Sequence, residues 1–176
     1  MKTEYNLWPE YLELIQIFST SENNYIFSIL MAISMIRMIS DNQFLPNIWE
    51  FFSNLALQGL ASDNENIIIE SASLVTSMFR FHTTISTNLP ELFSKLFLVF
   101  QHQMEIDSLI CGQLIDDFEK ISDSFEQVSD DDEMAEGQDF NFINTTEIAQ
   151  QFLQLIMNPT LNIDSRCLLL KPLISF

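Results

Sequence analysis

Leu89-Pro90-Glu91-Leu92-Phe93-Ser94-Lys95-Leu96-Phe97 sets the reading of the whole chain. An apolar residue precedes a proline, and apolar side chains then recur at helical spacing. Proline suits the first position of a helix, where its missing N–H would have had no partner anyway. The same arrangement stands upstream at Leu45-Pro46-Asn47-Ile48-Trp49-Glu50-Phe51-Phe52 and again at Leu7-Trp8-Pro9-Glu10-Tyr11-Leu12-Glu13-Leu14-Ile15. A weaker copy follows at Asn144-Thr145-Thr146-Glu147-Ile148-Ala149-Gln150-Gln151-Phe152-Leu153, with Thr146 in the place of proline.

Pro9, Pro46 and Pro90 stand 37 and 44 residues apart, and Thr146 follows 56 residues later. The first two intervals match the period of roughly 40–47 residues, or a little less, of HEAT and armadillo repeats. Each copy is followed by a polar break and a second apolar segment. The breaks are Ser19–Asn24, Ser62–Asn66, Met104–Asp107 and Asn158–Thr160. The second helices expected after them are Tyr25–Ile39, Ile67–Arg80, Ser108–Ser122 and Asp164–Ser175. Ser, Asp and Asn favour helix N-caps because their oxygens accept free backbone N–H groups. In the third of these helices, positions 106, 109, 110, 114, 118 and 121 predict one apolar stripe. The expected fold is all-α, an α-α superhelix of about four helix pairs. Phe51, Phe52, Phe93, Phe97 and Phe100 would pack between repeats. Residues 1–122 form three repeats, 142–176 the fourth, and 123–141 an acidic, disordered or mobile loop between them. That loop accounts for the long third interval.

Composition agrees with this reading. Apolar residues make up 47% of 176, which is enough for a core, while only 3 Gly and 5 Pro leave little for the turns of an all-β fold. The 25 acidic and 7 basic residues give a net charge of −18. Such a chain repels nucleic-acid phosphates and anionic lipid and attracts basic proteins. Tyr25–Ile39, the most apolar run, has 15 residues and contains Arg37, so it is too short to span a bilayer. Direct nucleic-acid and membrane partners are therefore not expected. Met1–Asn6 has no apolar core of the kind a signal peptide carries.

No catalytic constellation appears. His82 and His102 lie in different repeats and neither has metal-ligand spacing. Three isolated glycines make no phosphate loop. Cys111 and Cys167 are far apart and read as buried or partly buried thiols in a reducing compartment. The chain is expected to be neither enzyme nor cofactor carrier. Its candidate sites are acidic surfaces. One is the polar side of the second helices, with Glu70, Asp116, Asp117, Glu119 and Lys120 turned from the apolar stripe. In solenoids the inner row of helices lines a binding surface. The other is the run containing Asp130, Asp131, Asp132, Glu133 and Glu136, for a basic partner.

Several of these segments resemble the early HEAT repeats of the importin-beta superfamily of nuclear transport receptors. They are Trp8-Pro9-Glu10-Tyr11-Leu12, Phe44-Leu45-Pro46-Asn47-Ile48 and Asn88-Leu89-Pro90-Glu91-Leu92. Ile115-Asp116-Asp117-Phe118-Glu119-Lys120-Ile121 and Ile163-Asp164-Ser165-Arg166 look like second helices of the importin-four and importin-five type. The resemblance implies a receptor moving between cytoplasm and nucleus, with a Ran-type small GTPase, basic cargo proteins and nucleoporins as partners. Whole receptors of that family are several times longer, so the resemblance implies a segment of one. A HEAT scaffold assembling another protein complex is the alternative.

Overall fold

The computed structural model describes residues 9–38, 46–81, 89–131 and 145–171. Those residues form eight α-helices and no strand. The helices are α1 (Pro9–Ser19), α2 (Tyr25–Met38), α3 (Pro46–Leu60), α4 (Glu65–Phe81), α5 (Leu89–Glu105), α6 (Cys111–Asp131), α7 (Thr145–Ile156) and α8 (Ile163–Leu168), with a 3-10 turn at Glu22–Asn24 before α2. They pair as α1/α2, α3/α4, α5/α6 and α7/α8. The second helices α2, α4 and α6 lie side by side in one row, and α3 and α5 do so in the other. This is the stacked all-helical repeat expected from the proline spacing.

Asn side chains hold the turns at the second and fourth breaks, whereas Ser21 in the first makes no side-chain cap. The Asn64 side chain accepts from the Asn66 N–H (3.0 Å), and Asn158 accepts from Thr160 (3.0 Å). Asn162 caps α8 by accepting from the Ser165 N–H (2.7 Å).

Helix α4 sits at the centre, against α2, α3, α5 and α6. Its buried side mixes large residues (Leu74, Met78, Phe79) with small ones (Ser71, Ala72, Thr76, Ser77). Small side chains let neighbouring helices approach. Ser71, Thr76 and Ser77 lose no hydrogen bond there, because their hydroxyls donate to carbonyls one turn back. Gly59 of α3 meets this surface: a Cβ there would collide with Ser71 Oγ, 3.0 Å from Ser71 Cβ and 3.2 Å from the Tyr25 ring. Tyr25 in turn donates to the Leu55 carbonyl at 2.6 Å, and burial pushes its phenol up to about 12.

Between α5, α6 and α7 the core is aromatic. Phe118 lies 5.5 Å from Phe93, 6.2 Å from Phe97, 5.3 Å from Phe100 and 5.3 Å from Phe152, with edge-on geometry throughout. Such arrangements match ring edges to ring faces. Phe93, Phe97 and Phe100 thus pack between helices as their spacing predicts.

Three boundaries differ from expectation. Helix α5 continues through Met104 and Glu105, because Met104 is buried. The chain turns instead at Asp107, whose φ of 54° leaves the right-handed region. Helix α6 then begins at Cys111 rather than Ser108, so Ile106 and Leu109 are exposed rather than part of its stripe. At its other end α6 runs to Asp131, nine residues past Ser122. The segment 123–131 is therefore helical, and 132–141 lies outside the described residues. Helix α8 spans Ile163–Leu168, with a turn at Leu169 and helical backbone again at 170–171, so the expected end at Ser175 is not reached by the described residues. Positions 172–176 lie outside the described residues.

Candidate protein-binding face

The solvent side of the second-helix row follows from helical periodicity. On α6, Leu114, Ile115, Phe118, Ile121 and Ser122 point inward, leaving Asp116, Lys120 and Asp123 exposed and Glu119 half-buried. On α4, Asn66 and Arg80 are exposed, and Ile69, Glu70 and Ser73 are half-buried. Asp116 is thus exposed, and Glu70 and Glu119 half-buried, on adjacent helices.

Asp117 does not face solvent. It is 2% exposed and turned toward α4 beside the Thr76 hydroxyl. Lys120 Nζ donates to its Oδ1 at 3.1 Å. Position 117 lies one helical step from Asp116, on the shoulder of α6 that α4 covers. Burial is the largest influence on the carboxyl and raises its pKa above the ordinary 3.8; the neighbouring ammonium of Lys120 opposes the rise. Asp117 is therefore a structural carboxyl, withdrawn from any partner. Asp130 and Asp131 close α6 instead of lying in a loop. Asp132, Glu133 and Glu136 lie outside the described residues, as does His82.

No protein-family model matches the chain, and no curated protein or solved structure matches it.

Two features were not foreseen from the residues. One is a set of polar links along the edge where the pairs turn. Ser108 donates to Glu65 Oε1 (3.0 Å) across repeats two and three. Asp107 Oδ1 accepts from Asn162 Nδ2 (3.0 Å) and Ser165 Oγ (3.5 Å) across repeats three and four. Partners 43 to 58 residues apart leave no local signal in the sequence. The other is a groove of about 410 Å³ between the α3–α4 turn and α5, lined by Asp63, Glu65, Lys95, Leu98, His102 and Gln103. Gln103 is 7% exposed, and its Oε1 has no hydrogen-bond partner among the described residues.

Among the described residues no group of three or more His, Cys, Asp or Glu could hold a metal ion. None of their helices is long and apolar enough to cross a membrane. Cys111 is buried as expected, and that burial pushes its thiol up to about 11, far from the thiolate that nucleophilic chemistry requires, whereas Cys167 is exposed, because α8 turns it away from the buried side that holds Ser165. The arrangement offers a helical surface with acidic side chains on it.

Proposed function

We propose that this chain is a protein-binding segment of an importin-beta-like nuclear transport receptor, working in cytoplasm and nucleus. In this reading it holds basic cargo, a Ran-type GTPase in its GTP form, or both, on its second-helix row. The observation that carries it is the row itself: α2, α4 and α6 stand side by side, with Glu70 on the solvent side of α4 and Asp116, Glu119 and Asp123 on that of α6. Stacked helix pairs present extended surfaces for partners. Acidic groups on such a surface steer basic partners toward it, an effect that weakens as salt rises. The Trp8-Pro9, Leu45-Pro46 and Leu89-Pro90 segments, which resemble early repeats of that family and are shared in part by other HEAT scaffolds, support the reading.

The test is retention of the Ran-type GTPase on the immobilised chain in its GTP and GDP forms at physiological salt. Selective retention of the GTP form is expected, and Asp116→Lys/Glu119→Lys should weaken it without loss of helicity. Equal retention of both forms by a folded chain overturns the GTPase-binding reading, and absent retention of both leaves a cargo-side segment or a scaffold for another complex.

A further inference from the structure

The turn Ala61-Ser62-Asp63-Asn64 joins α3 to α4, and all of it but the half-buried Ser62 is exposed. Ser62 Oγ accepts from the Asn64 N–H at 3.1 Å, which holds the hydroxyl at the turn, just ahead of the α4 N-terminus. Carboxylates follow it at the first and third positions, Asp63 and Glu65, and no Lys or Arg stands between Arg37 and Arg80. A serine kinase with a basic substrate cleft reads such a pattern by charge, whereas one that requires basic residues finds none nearby.

The surroundings of this hydroxyl suit a phosphate. Ser62 lines the groove of about 410 Å³ that Lys95, His102 and Gln103 of α5 also line. Lys95 is half-buried and has no ion-pair partner among the described residues. Gln103 is 7% exposed, and its Oε1 finds no partner among those residues either, so no hydrogen bond there keeps the amide from turning its Nε2 toward an added oxygen. The positive end of the α4 dipole also favours negative charge at this turn. Asp63 and Glu65 oppose it, but both are exposed, where water and salt screen them more than the half-buried ammonium.

We propose, independently of the receptor role, that Ser62 is a phosphorylation site for an acid-directed serine kinase, and that Lys95 and His102 receive the phosphate across the groove and tie the second helix pair to α5. In the transfer, Ser62 Oγ bonds to the γ-phosphorus of a nucleoside triphosphate and the bond from that phosphorus to the β–γ bridging oxygen breaks. A nucleoside diphosphate leaves, and the serine proton passes to the kinase's base. The phosphate carries about −1.5 to −2 charge near neutral pH and enough acceptor oxygens for Lys95, His102 and the Asn64 N–H together.

The test is incubation of the full chain with ATP and an acid-directed serine kinase, followed by peptide mass mapping. Phosphate is expected on Ser62, lost in Ser62→Ala and slowed several-fold in Asp63→Asn/Glu65→Gln, with helicity by circular dichroism intact in both variants. Lys95→Gln should take up phosphate as the parent does. Phosphorus resonance then follows the second ionisation of the phosphate, ordinarily at about pH 6. A neighbouring ammonium favours the dianion, so the parent should lose that proton at lower pH than Lys95→Gln. A parent chain with no phosphate on Ser62, or with phosphate only on Ser129 ahead of its run of Asp, overturns the proposal. So does uptake indifferent to Asp63→Asn/Glu65→Gln, or an ionisation that is the same in the parent and in Lys95→Gln.

Discussion

Asp117 and Gly59 are single residues whose environments predict measurable behaviour. Because burial raises the Asp117 carboxyl above 3.8, the folded chain holds this proton more tightly than the unfolded chain does. As pH rises from 3.8 through the folded value, the native state binds more protons at this site than the unfolded state, so the site's contribution to stability falls. Asp117→Asn removes that penalty. The Lys120 ion pair lost with it is half-exposed, and pairs of that kind contribute little. Urea denaturation should find the variant more stable than the parent near neutral pH, with the gap closing toward pH 4. At Gly59 the expected effect is steric. Gly59→Ala drives a methyl group into Ser71 and should cost about 1–3 kcal/mol, as overpacking does. Ser71→Ala removes the nearer atom, so thermal unfolding of the double variant should show part of that loss recovered. Neither residue announces itself in the chain. Asp116 and Asp117 are the same letter side by side, and only the position of α4 separates the exposed one from the buried one.

At the level of elements, the proline-led first helices were legible because Pro46, Leu89-Pro90 and the aromatic spacing after them all pointed the same way. The end of α6 was harder to read. Eight acidic residues between Asp123 and Asp139 argued for a loop. Phe118, Ile121, Phe125 and Val128 nevertheless continue one spacing of i, i+3, i+7 and i+10, which was the signal for a longer helix. The last turn of α6 has no basic residue, and it places Asp130 and Asp131 at the negative end of the helix dipole. Asp130→Asn/Asp131→Asn should therefore stabilise that turn, by about 0.3–1 kcal/mol for each charge removed, seen as slower amide exchange over 125–131. Phe118 tests how elements are joined. Its ring touches partners on α5 and α7, so Phe118→Ala should cost about 3–5 kcal/mol in chemical denaturation. Phe51→Ala, on a half-buried side chain of α3, should cost less.

For the whole molecule, fold class was legible where function was not. Two proline intervals near 40 residues fix a stack of pairs, because each pair is one unit repeated along the chain. A partner's identity depends on which exposed side chains converge, and that depends on how far each helix rotates against its neighbour. Stability should also vary along the stack. Helix α4 is covered on four sides, whereas α1 and α8 touch few neighbours. Native-state hydrogen exchange should find α4 the slowest element and α1 and α8 the fastest. A uniform rate across all eight helices would contradict that gradient.

The links between successive turns, from Glu65 to Ser108 and from Asp107 to Asn162 and Ser165, all lie along one edge of the stack. That edge acts as a hinge line. Bending about that edge strains these short contacts least, so the stack flexes there like a book held at its spine.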